Sequence, residues 1–164
     1  VGSVSQSARA ASRFADALQR VIEQQGYSLD ASTTVAKLTA LYGAAMTGQV
    51  KRITRHSNEL MIGTLGDLAD YARHRVGGGM LYQATIPTLD MLTNFPTRRD
   101  QTLTHFGLDE AALRALAVDL NGRGIDRIVP VGEALAFGRV WDGYDLLASL
   151  GRRVVIRATP TIKG

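Results

Sequence analysis

The sequence predicts an α/β fold, a layered, partly parallel sheet with flanking helices. Two observations predict it. Apolar residues switch along the chain between helical and strand periodicity, and from Met80 onward the order runs strand, helix, strand, helix at the spacing of βαβ units. The content of 45% hydrophobic and 21% charged residues is near the globular average, so a packed core is within reach and disorder is not expected.

Each element has its own local signal. Val4, Ala8, Ala11, Phe14, Ala15, Leu18, Val21 and Ile22 recur at helical spacing, with Ser3 or Ser5 as cap and Gly26 as stop. A second helix is predicted over about 32–47, with Val35, Leu38, Leu41, Tyr42 and Ala45 as its inner stripe and Gly48 at its end. Residues 50–65 read as two short strands about a His56-Ser57-Asn58 turn. A short helix is expected over Asp67–Arg75, stopped by Gly77-Gly78-Gly79. Met80–Ile86 reads as a strand ending at Pro87, Thr88–Leu92 as a helical turn, and Gln101–Phe106 as a strand. Asp109 then caps a helix through Leu113, Leu116 and Leu120, because a carboxylate accepts from the free N–H groups of a first turn. Ile125–Val131 is the next strand, Glu133–Phe137 a turn of helix, Tyr144–Leu150 a helix and Arg153–Ala158 a last strand.

The 164 residues suit one ordinary domain. No apolar run approaches the ~18 residues of a membrane span, and no charged-then-apolar leader pattern opens the chain. The first residue is Val1 rather than Met, so the chain is expected to be a piece of something longer. It holds no cysteine, which removes disulfides, thiolate nucleophiles and zinc–thiolate sites from these residues and fits a reducing, cytoplasmic setting. The net charge of +4 is spread over Arg98-Arg99, Arg152-Arg153 and Lys51-Arg52 with Arg55, not gathered on a stripe with interleaved aromatics; no nucleic-acid partner is expected.

Few residues invite chemistry. His56, His74 and His105 form no helical i, i+4 pair and join no carboxylates at metal-ligand spacing, so no metal is expected. His105, just before Phe106-Gly107, reads either as a general base at a strand end or as a polar strand-end residue. The glycine run 77–79 and Gly122-Arg123-Gly124 precede strands, whereas a phosphate cradle needs the glycines to open a helix; both read as turns. No Gly-x-Ser-x-Gly elbow occurs. Glu133 comes after a strand, Asp142-Gly143 is a turn dipeptide, and Trp141, the sole tryptophan, reads as a packing anchor. From the residues alone, the chain is an α/β domain without a complete active site.

One stretch carries more. The run from Gly124 through Arg127-Ile128-Val129-Pro130-Val131-Gly132-Glu133-Ala134-Leu135-Ala136-Phe137, then Trp141-Asp142-Gly143-Tyr144-Asp145-Leu146-Leu147, then Leu150-Gly151-Arg152-Arg153-Val154, resembles the C-terminal end of acyl-CoA reductases. These belong to the family of the fatty-acid reductase subunit of bacterial luminescence, in the aldehyde dehydrogenase superfamily. Arg98 to Leu103 with Phe106-Gly107 resembles the family's strand before its late helix. Val1-Gly2 with the helix bearing Phe14 and Leu18 looks like the segment just after the family's nucleophile strand. The resemblance spans nearly the whole chain and is strongest from Gly124 to Val154.

The resemblance implies reduction of a fatty acyl thioester to an aldehyde with NADPH or NADH. A cysteine attacks the thioester carbonyl, expels coenzyme A and holds the acyl group; hydride then releases the aldehyde. This sequence departs from that pattern in having no cysteine, so the resemblance puts the nucleophile upstream of Val1 and the dinucleotide mainly on residues outside these 164. It implies that residues 1–150 are the C-terminal half of an aldehyde-dehydrogenase-like catalytic domain and 151–164 a closing strand and tail that join subunits. No catalytic residue transfers. Gln83, His105, Glu133, Trp141 and Asp142 are the candidates to line the acyl or nicotinamide side, against turn or packing roles for each. The implied partners are an acyl-CoA or acyl-protein donor, an acyl-transferase and further copies in a homo-oligomer. The competing reading is a non-catalytic α/β binding or scaffold module with a mildly basic surface. A fragment should show an open sheet edge and apolar surface near Val1 and beside the 80–86 strand; a self-contained scaffold should not.

Overall fold

A computed structural model describes residues 4–74 and 76–158. The expected Ser3 cap, Arg75 and the end of the tail lie outside the described residues. The chain mixes helices and small sheets, broadly α/β, in two compact units, residues 1–91 and 92–164.

The first unit opens with α1 (Val4–Gln25) and α2 (Ala31–Met46). Three strands come next, β1 (Val50–Arg55), β2 (Met61–Leu65) and β3 (Met80–Gln83), in sheet order β1-β2-β3. β1 pairs antiparallel with β2 about the 56–60 turn, and β2 pairs parallel with β3 from Met61↔Met80 to Thr64↔Gln83. Alternation along the strands sends side chains to opposite faces. Met61, Leu65 and Met80 cluster with Leu41 and Ala44 of α2, while Leu60, Ile62 and Leu81 pack with Ala15, Leu18 and Ile22 of α1. The sheet is therefore layered between two helices. Leu41, Leu60 and Met61 are fully buried, each worth roughly 1.5–3 kcal/mol of transfer free energy.

Asp30 caps α2, accepting from the Thr33 amide at 2.7 Å and from the Ser32 and Thr33 hydroxyls. Two turns on, Lys37 is fully buried, its ammonium donating to the carbonyls of Asn58 and Gly78. Burial pulls its pKa below the ordinary lysine value, with Glu59 acting against the shift and Arg55 with it. Gly79 sits where nothing larger fits: its φ is +67° and a Cβ there would lie 1.7 Å from the Glu59 carbonyl oxygen.

The second unit is built on β4 (Thr102–His105), α3 (Glu110–Leu120) and β5 (Arg127–Pro130), with β4 and β5 parallel from Thr102↔Arg127 to His105↔Pro130. Asp109 caps α3 as expected, accepting from Ala112 N at 2.8 Å, and Leu116 and Leu120 are its buried residues. Gly124 packs against the Thr97 carbonyl, 1.9 Å from where its Cβ would stand. The chain closes with a hairpin of β6 (Val140–Trp141) and β7 (Tyr144–Asp145) and a short α4 (Leu146–Leu150) capped by Asp145.

Five segments depart from the expectations. The helix over Asp67–Arg75 is a single 3-10 turn, Leu68–Asp70: Asp67 and Asp70 cap each other's ends and the turn buries nothing, so no packed face extends it. The strand from Met80 stops at Gln83 rather than Ile86, at the end of its pairing with β2. Glu133–Phe137 closes one hydrogen-bonded turn, Ala136 N donating to Glu133 O at 3.0 Å, but does not continue as helix, and the carbonyls of Ala134 and Ala136 accept from the Arg127 guanidinium. Arg153–Ala158 forms no strand: Val154, Val155 and Ile156 are 84, 77 and 87% exposed, and strand propensity without a ladder partner makes no sheet. The helix expected from Tyr144 also begins two residues later, Tyr144 and Asp145 being taken by β7.

Candidate functional site

In the first unit, a groove of about 410 Å³ runs between the N-terminal half of α1 and the outer part of the sheet. Helical spacing puts Ser7, Ala10, Ala11 and Phe14 on one wall. Opposite stand Ile62, the strand β3 residues Leu81 to Gln83, and Ala84 to Ile86. The floor is apolar because the side chains of Ile62 and Leu81 face α1, and the small residues of α1 keep its wall low. Gln83, two residues on from Leu81, falls on the same sheet face and brings an amide to a mainly apolar lining that also holds the Ser7 and Thr85 hydroxyls. Of the sequence-nominated residues, Gln83 is thus on a concave surface.

The other four belong to the second unit. His105 ends β4, and its Nδ1 is buried with no hydrogen-bond partner among the described residues, while its carbonyl accepts from Val131 N at 3.0 Å. Such an orphaned nitrogen is uncommon in native proteins. Glu133 stands after β5 in a turn closed by its amide onto the Pro130 carbonyl at 3.1 Å; its carboxylate is exposed. Trp141 contacts two groups: the Arg127 guanidinium lies 4.4 Å from its ring centre and the tilted Phe137 ring 5.1 Å away. Asp142 and Gly143 have φ of 49° and 80°, the positive pair of a two-residue hairpin turn, so the turn dipeptide does what its chemistry suggests.

Arg127 organises this group and was missed from sequence. Its guanidinium donates to Ala134 O and Ala136 O at 3.0 Å each and to Glu133 O at 3.4 Å, and covers Trp141. Glu133 and Trp141 are thereby brought together through one cation, the first by its backbone. A faint signal was present: an arginine inside a strand of Ile and Val needs polar partners nearby, and the next turn supplies carbonyls. Lys37 was also missed, although it shares a helical face with Leu41 and Ala44 and so had to point inward.

Several of the glycines weighed in the sequence as a phosphate cradle are close-packed. Gly78 and Gly79 are wedged against Leu29, Thr33 and the Glu59 carbonyl, Gly124 against Thr97, and the first turn of α2 is occupied by Asp30. Among the described residues there is no group of three or more His, Asp or Glu able to hold a metal ion, and no helix long and apolar enough to cross a membrane.

Fold and site together define a two-unit α/β chain with an apolar groove in one unit and an arginine-centred turn cluster in the other. No protein-family model, curated protein or solved structure matches the chain.

Proposed function

We propose that this chain is the C-terminal part of an acyl-CoA reductase, an enzyme that reduces a fatty acyl thioester to an aldehyde with NAD(P)H through a cysteine thioester. The observation that carries the reading is the run from Gly124 to Val154, whose glycine-led strand, Asp-Gly turn, leucine-rich helix and closing arginines keep the order of that family's C-terminal end. The groove supports the acyl half of the reading. Its volume lies within the ~300–1,000 Å³ of small-molecule clefts, its lining is apolar, and the Gln83 amide and Ser7 hydroxyl supply polar contacts. Phe106, Leu135, Leu150 and Ile156 are each more than 80% exposed, apolar surface of the kind that further protein covers. They belong to the second unit, whereas the reading expects such surface beside the 80–86 strand and near Val1, which is outside the described residues. In this reading the nucleophile and the dinucleotide site belong to residues outside the 164, the parent is a cytoplasmic homo-oligomer joined partly through residues 151–164, and an acyl-transferase or acyl-CoA delivers the substrate.

The test has two arms. The 164-residue chain alone should show no acyl-CoA-dependent oxidation of NAD(P)H, since it has no cysteine; the parent protein should show it and lose it on changing the nucleophilic Cys to Ala. Turnover by the cysteine-free chain, or by the Cys→Ala parent, refutes the thioester route. In the second arm, the chain should bind a long-chain acyl-CoA by calorimetry, and Ala10→Trp, which fills the groove from an exposed position, should weaken binding by roughly tenfold or more. Equal affinity in the variant removes the groove from the proposal, and no binding by either protein favours the non-catalytic scaffold.

A further inference from the structure

Lys37 is a buried ionisable group that the proposed reaction leaves unused. Its side chain is 0% exposed. An ammonium has three donors; two of them go to Asn58 O and, at 2.7 Å, to Gly78 O. Those acceptors lie on two separate irregular segments, the 56–60 hairpin turn and the 77–79 glycine run. The two segments touch again where Gly79 packs on the Glu59 carbonyl, and Met61 N, at the start of β2, donates to Gly79 O at 3.1 Å. Asn58 is tied back to α2 by its own amide, which donates to Thr34 Oγ1 at 2.9 Å. Three pieces of chain thus meet at one cation.

Directly beyond Gly79 the chain enters β3, which is four residues long, sits at the edge of its sheet and forms a wall of the groove. Strands this short contribute little by themselves, and edge elements open locally well before a core unfolds. We infer that Lys37 is a latch on that wall: by pinning Gly78 and Asn58 to α2 it holds residues 77–83 in register, and these residues open as a local unit when the ammonium is removed. Charge assistance makes the two bonds strong, and an apolar replacement leaves both carbonyls without a donor. The inference concerns the groove's wall and stands whether or not the groove takes an acyl chain.

Hydrogen exchange on the intact chain tests it. In Lys37→Met, a side chain of similar length, amides in 78–83 should exchange roughly tenfold faster or more, while α1 and the β1–β2 pairing stay near the parent rates. Unchanged protection at 78–83 overturns the latch, as does a parallel loss in every element, which would mark Lys37 as an ordinary core residue. Thr34→Val gives an independent check should Lys37→Met fail to fold. It releases the Asn58 tie, together with one bond to the Asp30 carbonyl at the start of α2, and leaves both Lys37 bonds in place. A smaller acceleration in the same segment is expected, and parent-like exchange there also overturns the proposal.

Discussion

Arg127 is a single side chain that decides the course of ten residues. Its five donors are fixed in a planar fork, so one guanidinium answers three carbonyls of the 133–136 turn while standing over the Trp141 ring. Charge-assisted hydrogen bonds and a cation–π contact of this kind, on a half-buried arginine, together contribute about 2–3 kcal/mol. Arg127→Ala is expected to lower the second unit's stability by that amount in urea and to shift the emission of Trp141, the chain's one tryptophan, to longer wavelength. Arg127→Lys should restore little, because an ammonium has no fork and no planar face. A parent-like urea midpoint and spectrum in Arg127→Ala would show that the turn stands without it. At this scale the sequence was partly legible. Asp109 and the Asp142-Gly143 pair could be read because their partners lie within three residues, whereas Arg127 and Lys37 find theirs 6–9 and 21–41 residues away.

Among the elements, α2 shows how a local cap becomes a pH dependence. Asp30 accepts first from the Ser32 hydroxyl and then from the Thr33 amide and hydroxyl, and its pKa falls from 3.8 to about 2. All three bonds favour the carboxylate over the acid. An acid depressed in the folded state stabilises above its unfolded pKa and loses that contribution as the pH falls through its folded pKa. The contribution of Asp30 is therefore full above pH 3.8 and is lost between there and about 2. Asp30→Asn keeps an acceptor at the cap but has no proton to take up. The melting temperature of the parent should fall more steeply than that of Asp30→Asn across this window. Parallel curves would remove Asp30 as the cause. The elements themselves were well marked in sequence. The periodicity of α1 and α2, the strand pair around 56–58 and the strand–helix–strand of the second unit all stand as expected, because each is set by neighbours in the chain. The misread segments, 67–75, 133–137 and 153–158, are those whose backbone partners are short-range caps, a distant arginine, or no ladder at all.

For the whole molecule the unequal cores matter. Leu41, Leu60, Met61, Ile62, Leu65 and Met80 are buried in the first unit, where two helices cover both faces of a three-stranded sheet. The second unit buries Leu116 and Leu120 among apolar side chains and has a two-stranded parallel sheet, an arrangement that natural folds cover on both faces and extend with further strands. Residues 1–91 expressed alone should unfold cooperatively in urea by circular dichroism, with a higher midpoint than 92–164 alone. A higher midpoint for 92–164, or a 1–91 without a transition, would reverse this assignment of stability.

The sequence by itself determined what depends on near neighbours: the class of fold, the places of most helices and strands, the caps at Asp109 and the Asp142-Gly143 turn, and the absence of any cysteine chemistry within these residues. Tertiary structure alone decided where Gln83 opens onto a groove, which carbonyls Lys37 and Arg127 satisfy, and why Gly79 and Gly124 admit no side chain. The reason is physical. Helical and strand periodicities repeat every few residues and are written in the order of the chain. A buried cation or a close backbone approach depends on which distant carbonyl arrives beside it, and that is settled only when the layers pack.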